Sequence, residues 1–256
     1  KVDRDIKAVY QDEFILGYQN ALNATWSWGV NATYRIMERT LDDVGVRVPA
    51  SVCSSGFDYP MLNPGEMATL WCSASQSWVT FDTATEGWVK QGSNEVVGFF
   101  KPKREYKGVE FQLDRAWDEK WSFNASYILS WSEGNFEGPV NSDTGLPWTG
   151  FTQHYDNPAN NERYGSLYGD HRHQLKLRGA YALNDMWSFG ATLSAVSGGP
   201  ITAFGVSWPN DRRVQSTSET SGGGTGWICV SNCGSVPNRV LEYTERGAFG
   251  RLPWLY

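Results

Sequence analysis

Few residues in this chain have the types and spacing that chemistry needs. The three histidines, His154, His171 and His173, stand in no Gly-x-Ser-x-Gly elbow and no His-Glu-x-x-His metal motif, so the reading is that the chain is not an enzyme and carries no cofactor. His171 and His173 could offer two imidazoles from one strand face. They sit where strand meets loop and are read as interfacial or loop-packing groups. The four cysteines are Cys53, Cys72, Cys229 and Cys233. Four cysteines allow three pairings and sequence does not choose among them, although local pairing, Cys53 with Cys72 and Cys229 with Cys233, is the simplest. A zinc site at Cys229 and Cys233 is the weaker reading, because no histidine or further cysteine lies beside them.

Charge is better organised. Arg172, Gln174, Lys176 and Arg178 alternate with His173, Leu175, Leu177 and Gly179. Glu110, Gln112 and Asp114 alternate in the same way with Val109, Phe111 and Leu113. Each series has the period of two that sends side chains to opposite faces of a strand. A second group is aromatic: Trp71, Trp78, Trp88, Trp148, Trp208 and Trp227 fall in polar, irregular stretches. Such rings can stack on sugars or anchor a protein partner. The plainer reading packs them against one another.

The elements that hold these residues are announced by three stretches that restate one another. Asn20 to Gly29, Ala116 to Asn124 and Ala182 to Gly190 each end one alternating segment, make a short polar turn, and restart with Trp-Ser-aromatic. Each restart splits cleanly. Trp121, Phe123, Ala125, Tyr127, Leu129 and Trp131 oppose Ser122, Asn124, Ser126, Ile128, Ser130 and Ser132. Segments of about 10 residues, apolar on one side and small or polar on the other, suit a transmembrane β-strand between lipid and a watery lumen. A soluble β-sandwich also alternates. Its outer faces usually carry Lys and Glu, whereas these polar faces are rich in Ser, Asn, Thr and Gly. Trp26, Trp121 and Trp187 recur directly after the turns, where an interfacial aromatic belt belongs. In that setting Glu110, Gln112, Asp114, Arg172, Gln174, Lys176 and Arg178 are expected to face the lumen, because charge on the lipid side is costly.

The expected fold is all-β: a partial antiparallel transmembrane β-barrel of about six strands plus a partial seventh, with long extracellular loops. The strands are read as Asp12 to Ala21, Trp26 to Met37, Glu105 to Ala116, Trp121 to Ser132, His171 to Leu183 and Trp187 to Ser197, with Gly250 to Tyr256 starting a seventh. Long loops over about 38–104, 133–170 and 198–249 fall at one end, and the short turns at the other. Outer-membrane barrels keep short turns periplasmic and long loops extracellular. All four cysteines fall in the long loops, where an oxidising surface permits disulfides. The net charge of −6 over 256 residues argues against a nucleic-acid partner. Lys1 to Tyr10 show no apolar signal-peptide core, which is read as a mature or internal start.

Tyr10 to Tyr18, Lys107 to Phe111, Asp114 to Trp117, Trp121 to Tyr127, Ser130 to Gly138 and Asp170 to Lys176 together resemble the carboxy-terminal barrel region of TonB-dependent receptors, of the Oar-like outer-membrane type. The resemblance implies a bacterial outer-membrane location, contact with the bilayer and lipopolysaccharide, and a parent protein with a plug and a 22-stranded barrel. It also implies energy from a TonB–ExbB–ExbD complex through an amino-terminal region. No plug or TonB box is recognised in residues 1–256, so the segment is expected to need the remaining strands and plug of its parent. Two functions are in view. One is active uptake of a scarce ligand. The other is a structural or adhesive barrel whose loops bind a partner.

Overall fold

The computed structural model describes residues 1–57, 59–89, 95–136, 164–203, 227–233 and 240–256. Fifteen strands and one helical turn follow in chain order. They are β1 (Tyr10–Ala21), β2 (Trp26–Arg39), β3 (Asp42–Asp43), β4 (Met61–Leu62), β5 (Met67–Cys72), β6 (Ser77–Asp82), α1 (Thr83–Glu86), β7 (Trp88–Val89), β8 (Val96–Val97), β9 (Arg104–Arg115), β10 (Trp121–Gly134), β11 (Gly165–Ser166), β12 (His173–Asn184), β13 (Trp187–Val196), β14 (Trp227–Ser231) and β15 (Val240–Tyr243). The long strands form one sheet in the order β1-β2-β9-β10-β12-β13, with β11 added to β10. Every pairing in it is antiparallel. The sheet is open, with β1 at one edge and β13 at the other.

The three repeated turns share one local device. Asn23 Oδ1 accepts the backbone N–H of Thr25 and of Trp26, both at 2.9 Å. Asp118 Oδ1 accepts those of Lys120 and Trp121, at 3.3 and 3.1 Å. Asn184 Oδ1 accepts those of Met186 and Trp187, at 3.0 and 2.9 Å. An Asx side chain three residues before the tryptophan thus closes each turn on itself, which fixes where the next strand begins. Register then follows: Leu16 faces Ala32, Val30 faces Phe111, Phe111 faces Tyr127, Tyr127 faces Leu175, and Leu175 faces Ala195.

Expected and observed strands agree to within two residues at most ends. The seventh differs. Residues 250–256 form no continuous strand, but touch the loop end of β13 through antiparallel bridges Val196 to Leu255 and Pro200 to Arg251. Val196 and Leu255 exchange both backbone hydrogen bonds at 2.9 Å. Pro253, between the bridges, has no N–H to give a ladder. Gly198 lets this segment approach, since a Cβ there would stand 1.9 Å from the Leu252 carbonyl oxygen.

Most of the buried core lies off the sheet, with Met37 of β2 reaching into it. Val44, Leu62, Leu70, Cys72, Phe81, Phe99 and Phe136 are buried together in the first long connection and the segment after β10. There the Phe57 and Phe81 rings stack at 5.6 Å, and Cys53 and Cys72 form a disulfide. The aperiodic stretch read as loop therefore folds on its own centre, with α1 capped by the Asp82 side chain. Residues 1–7 dock onto it: Asp3 Oδ1 accepts Thr69 N–H at 2.8 Å, and Asn63 bridges the Lys7 and Thr40 backbones.

Candidate functional site

The register decides which side chains share a face. Gln112 lies between Gly29 and Ser126, and Ser126 faces Lys176, which faces Ser194. One step away, Ser27, Asp114, Asn124, Arg178 and Thr192 form the next row. Asn31, Glu110, Ile128, Gln174 and Val196 form a third. Six of the seven residues expected in the lumen, all but Arg172, therefore stand on one face of one sheet. Asn124 Nδ2 donates to Asp114 Oδ1 within that face, and Glu13 pairs with Arg35.

The opposite face is apolar and bare. Phe14, Leu16, Tyr18, Phe111, Phe189 and Leu193 belong to it, and Leu16 is 78% exposed. Neither face of the sheet is covered by a second layer among the described residues.

Arg172 is placed differently. It precedes β12, and its guanidinium donates to Asp170 at 2.9 Å and lies 5.3 Å from the centre of the Trp131 ring. Asp170 is fully enclosed and also receives Arg251 from the chain's last segment and, at 2.9 Å, the backbone N–H of Ser132. Burial alone would raise the Asp170 pKa, but Arg172, the Ser132 N–H and Arg251 outweigh it and hold the carboxyl below its ordinary value. Arg251 further donates to the Gly198 carbonyl at 3.3 Å. One carboxylate thus ties β10, the approach to β12 and the carboxy-terminal segment together at the long-connection end.

The two clustered histidines are absorbed nearby. His171 Nδ1 donates to the Ser197 carbonyl at 2.7 Å, which fixes its tautomer. His173 Nδ1 and the Tyr127 hydroxyl lie 2.8 Å apart, and the Trp254 ring stacks beside the imidazole at 5.8 Å. His154 lies outside the described residues.

At the short-turn end, Trp26 and Trp121 meet edge to face at 5.8 Å. Arg115, a residue that alternation alone does not single out, packs against both, 3.8 Å from the Trp121 ring centre and 6.0 Å from that of Trp26. It pairs with Asp118 and donates to the Trp121 carbonyl. A hydrogen bond from Arg115, then those from the Trp121 and Lys120 N–H groups, hold the Asp118 carboxyl well below the usual range. Asp118 before Trp121 was the available signal. A guanidinium on an apolar face needs a counter-ion, and the turn supplies one. Trp187, the third belt residue, is more exposed.

Of the loop tryptophans, Trp71 and Trp78 oppose each other across β5 and β6, 5.6 Å apart and T-shaped, with Arg4 over Trp78 at 5.5 Å. Trp88 is in β7 and Trp227 opens β14. Trp148 and Trp208 lie outside the described residues. Cys229 and Cys233 form the second disulfide, so both pairings are the local ones.

No protein-family profile matches the chain. No solved structure matches it either. The chain is similar to the TonB-dependent transporter Oar of Myxococcus xanthus, 27% identical over 236 residues that cover 89% of this chain and 19% of that protein. The chain therefore spans 19% of the length of the curated relative it matches, and what that likeness supports is a relationship to TonB-dependent transporters in general.

Proposed function

We propose that this chain is a wall segment of a TonB-dependent outer-membrane transporter. Its apolar face meets lipid, and its polar face lines the lumen. The observation that carries this reading is the bare sheet. A soluble sandwich buries its apolar strand face under a second layer, whereas here Phe14, Leu16, Phe111 and Leu193 are open, and most of the buried core among the described residues lies in the first long connection. Lipid satisfies such a face, and the ladder's internal hydrogen bonds suit a medium without water.

In this reading the connections over about 38–104, 133–170 and 198–249 are extracellular and meet lipopolysaccharide at their base. The plug and remaining strands of the parent protein complete the barrel, and TonB–ExbB–ExbD energises uptake through a region outside this chain. Trp71 and Trp78, on a module pinned by Cys53–Cys72, favour a second reading in which a barrel displays an adhesive surface. Energised uptake separates the two. Uptake by cells bearing the full-length protein should stop when a protonophore collapses the proton gradient. Surface binding that survives the protonophore, with no accumulation, would favour adhesion and contradict the transporter.

A further inference from the structure

We infer that the polar face of β12 is a binding site for a soluble polycarboxylate or phosphate-bearing anion, an inference that rests on this face being a lumen. Lys176 and Arg178 point to the same side, about 7 Å apart along the strand. Both are exposed, and neither makes an ion pair among the described residues. Their cross-strand neighbours are neutral hydrogen-bonding groups: Ser126 and Ser194 flank Lys176, and Asn124 and Thr192 flank Arg178.

The acids of this face stand elsewhere. Asp114 and Glu110 lie on β9, two strands or about 10 Å away, and Asp114 is already engaged by Asn124. Two like charges side by side repel, and a confined lumen screens them less than bulk water does. An incoming anion would relieve both at once. Space for it exists beside Arg178, where a concavity of about 650 Å3 is lined also by Asp114, Ser122, Asn124 and Thr192, and Lys176 stands just beyond that lining, two residues along the same strand face. Asp114, in the same lining but two strands from β12, sets a limit on how the anion lies, with its charge held toward β12.

Citrate is a direct probe. Calorimetric titration of the full-length protein in detergent, at about 10 mM ionic strength where screening is weak, should show citrate binding. Lys176→Gln with Arg178→Gln should weaken it at least tenfold, and Asp114→Asn should leave it equal or tighter. Lys176→Gln alone, an exposed single change, should weaken it measurably and guards against misfolding of the double variant. No binding by the wild type, as when an acidic segment of the same protein fills the face, or equal binding by the Lys176 and Arg178 variants, would overturn the site. Heat-modifiable gel mobility of the same samples distinguishes the failures. Retained mobility shift without citrate binding refutes the anion site alone, whereas a wild type lacking the shift refutes the barrel on which it rests.

Discussion

Asn23, Asp118 and Asn184 each spend one side-chain oxygen on two backbone N–H groups, and each stands three residues before a tryptophan. Replacing Asn23 or Asn184 by alanine should cost about 1 kcal/mol, the net worth of such bonds, in urea unfolding from vesicles. Asp118→Ala should cost more than either, since it also strips Arg115 of its counter-ion. Asp170 makes a different prediction. Its folded pKa is depressed, so its contribution is complete above the unfolded carboxylate range near about 4 and is lost as pH falls through the lowered folded value. Asp170→Asn should therefore destabilise by about 3 kcal/mol at neutral pH, with wild type and variant converging in acid. Unfolding curves from pH 7 downward check this, and a gap independent of pH would contradict it. The turns could be found in the sequence because their signal is local. The Asp170 cluster could not, since Ser132, Arg172 and Arg251 come from segments far apart in the chain.

At the scale of elements, period-two alternation predicted every long strand, because each side chain's face is set by backbone geometry alone. Leu175, Phe123 and Phe111 fall on one face and Ser126, Gln112 and Lys176 on the other. Alternation missed the core of the first long connection, where Val44, Leu62, Phe81 and Phe99 converge without any period. It also gave the carboxy-terminal segment a ladder that Pro253 interrupts. Parity assigns Arg172 to the polar row, yet parity applies only inside a strand, and Arg172 precedes β12. Neighbouring residues offer a sharp test of the two faces. Phe111→Arg should cost about 2 to 4 kcal/mol if it lies near mid-bilayer, while Gln112→Arg, beside Glu110 and Asp114, should cost far less. Folding titrations into lipid vesicles measure both, and equal penalties would contradict the assignment.

For the whole molecule, the sheet's two ends differ in kind. One carries three short Asx-closed turns, and the other carries the disulfide-pinned module and the Asp170 cluster. The proposed orientation predicts that Cys229 and Cys233, the more exposed disulfide, react after mild reduction with an impermeant maleimide on intact cells. A cysteine introduced at Glu119 should react only after the outer membrane is opened. The reverse pattern would invert the topology. The central claim, that one face of this sheet meets lipid and the other water, is tested most directly by nitroxide labels placed one at a time from Ser122 to Leu129 of the full-length protein in vesicles. The expected result is a period of two along β10. Oxygen, which concentrates in lipid, should relax labels at 123, 125, 127 and 129, and a water-soluble nickel chelate should relax those at 122, 124, 126 and 128. Equal access of the nickel chelate to both sets would show a sheet with water on both sides, and would contradict the membrane wall.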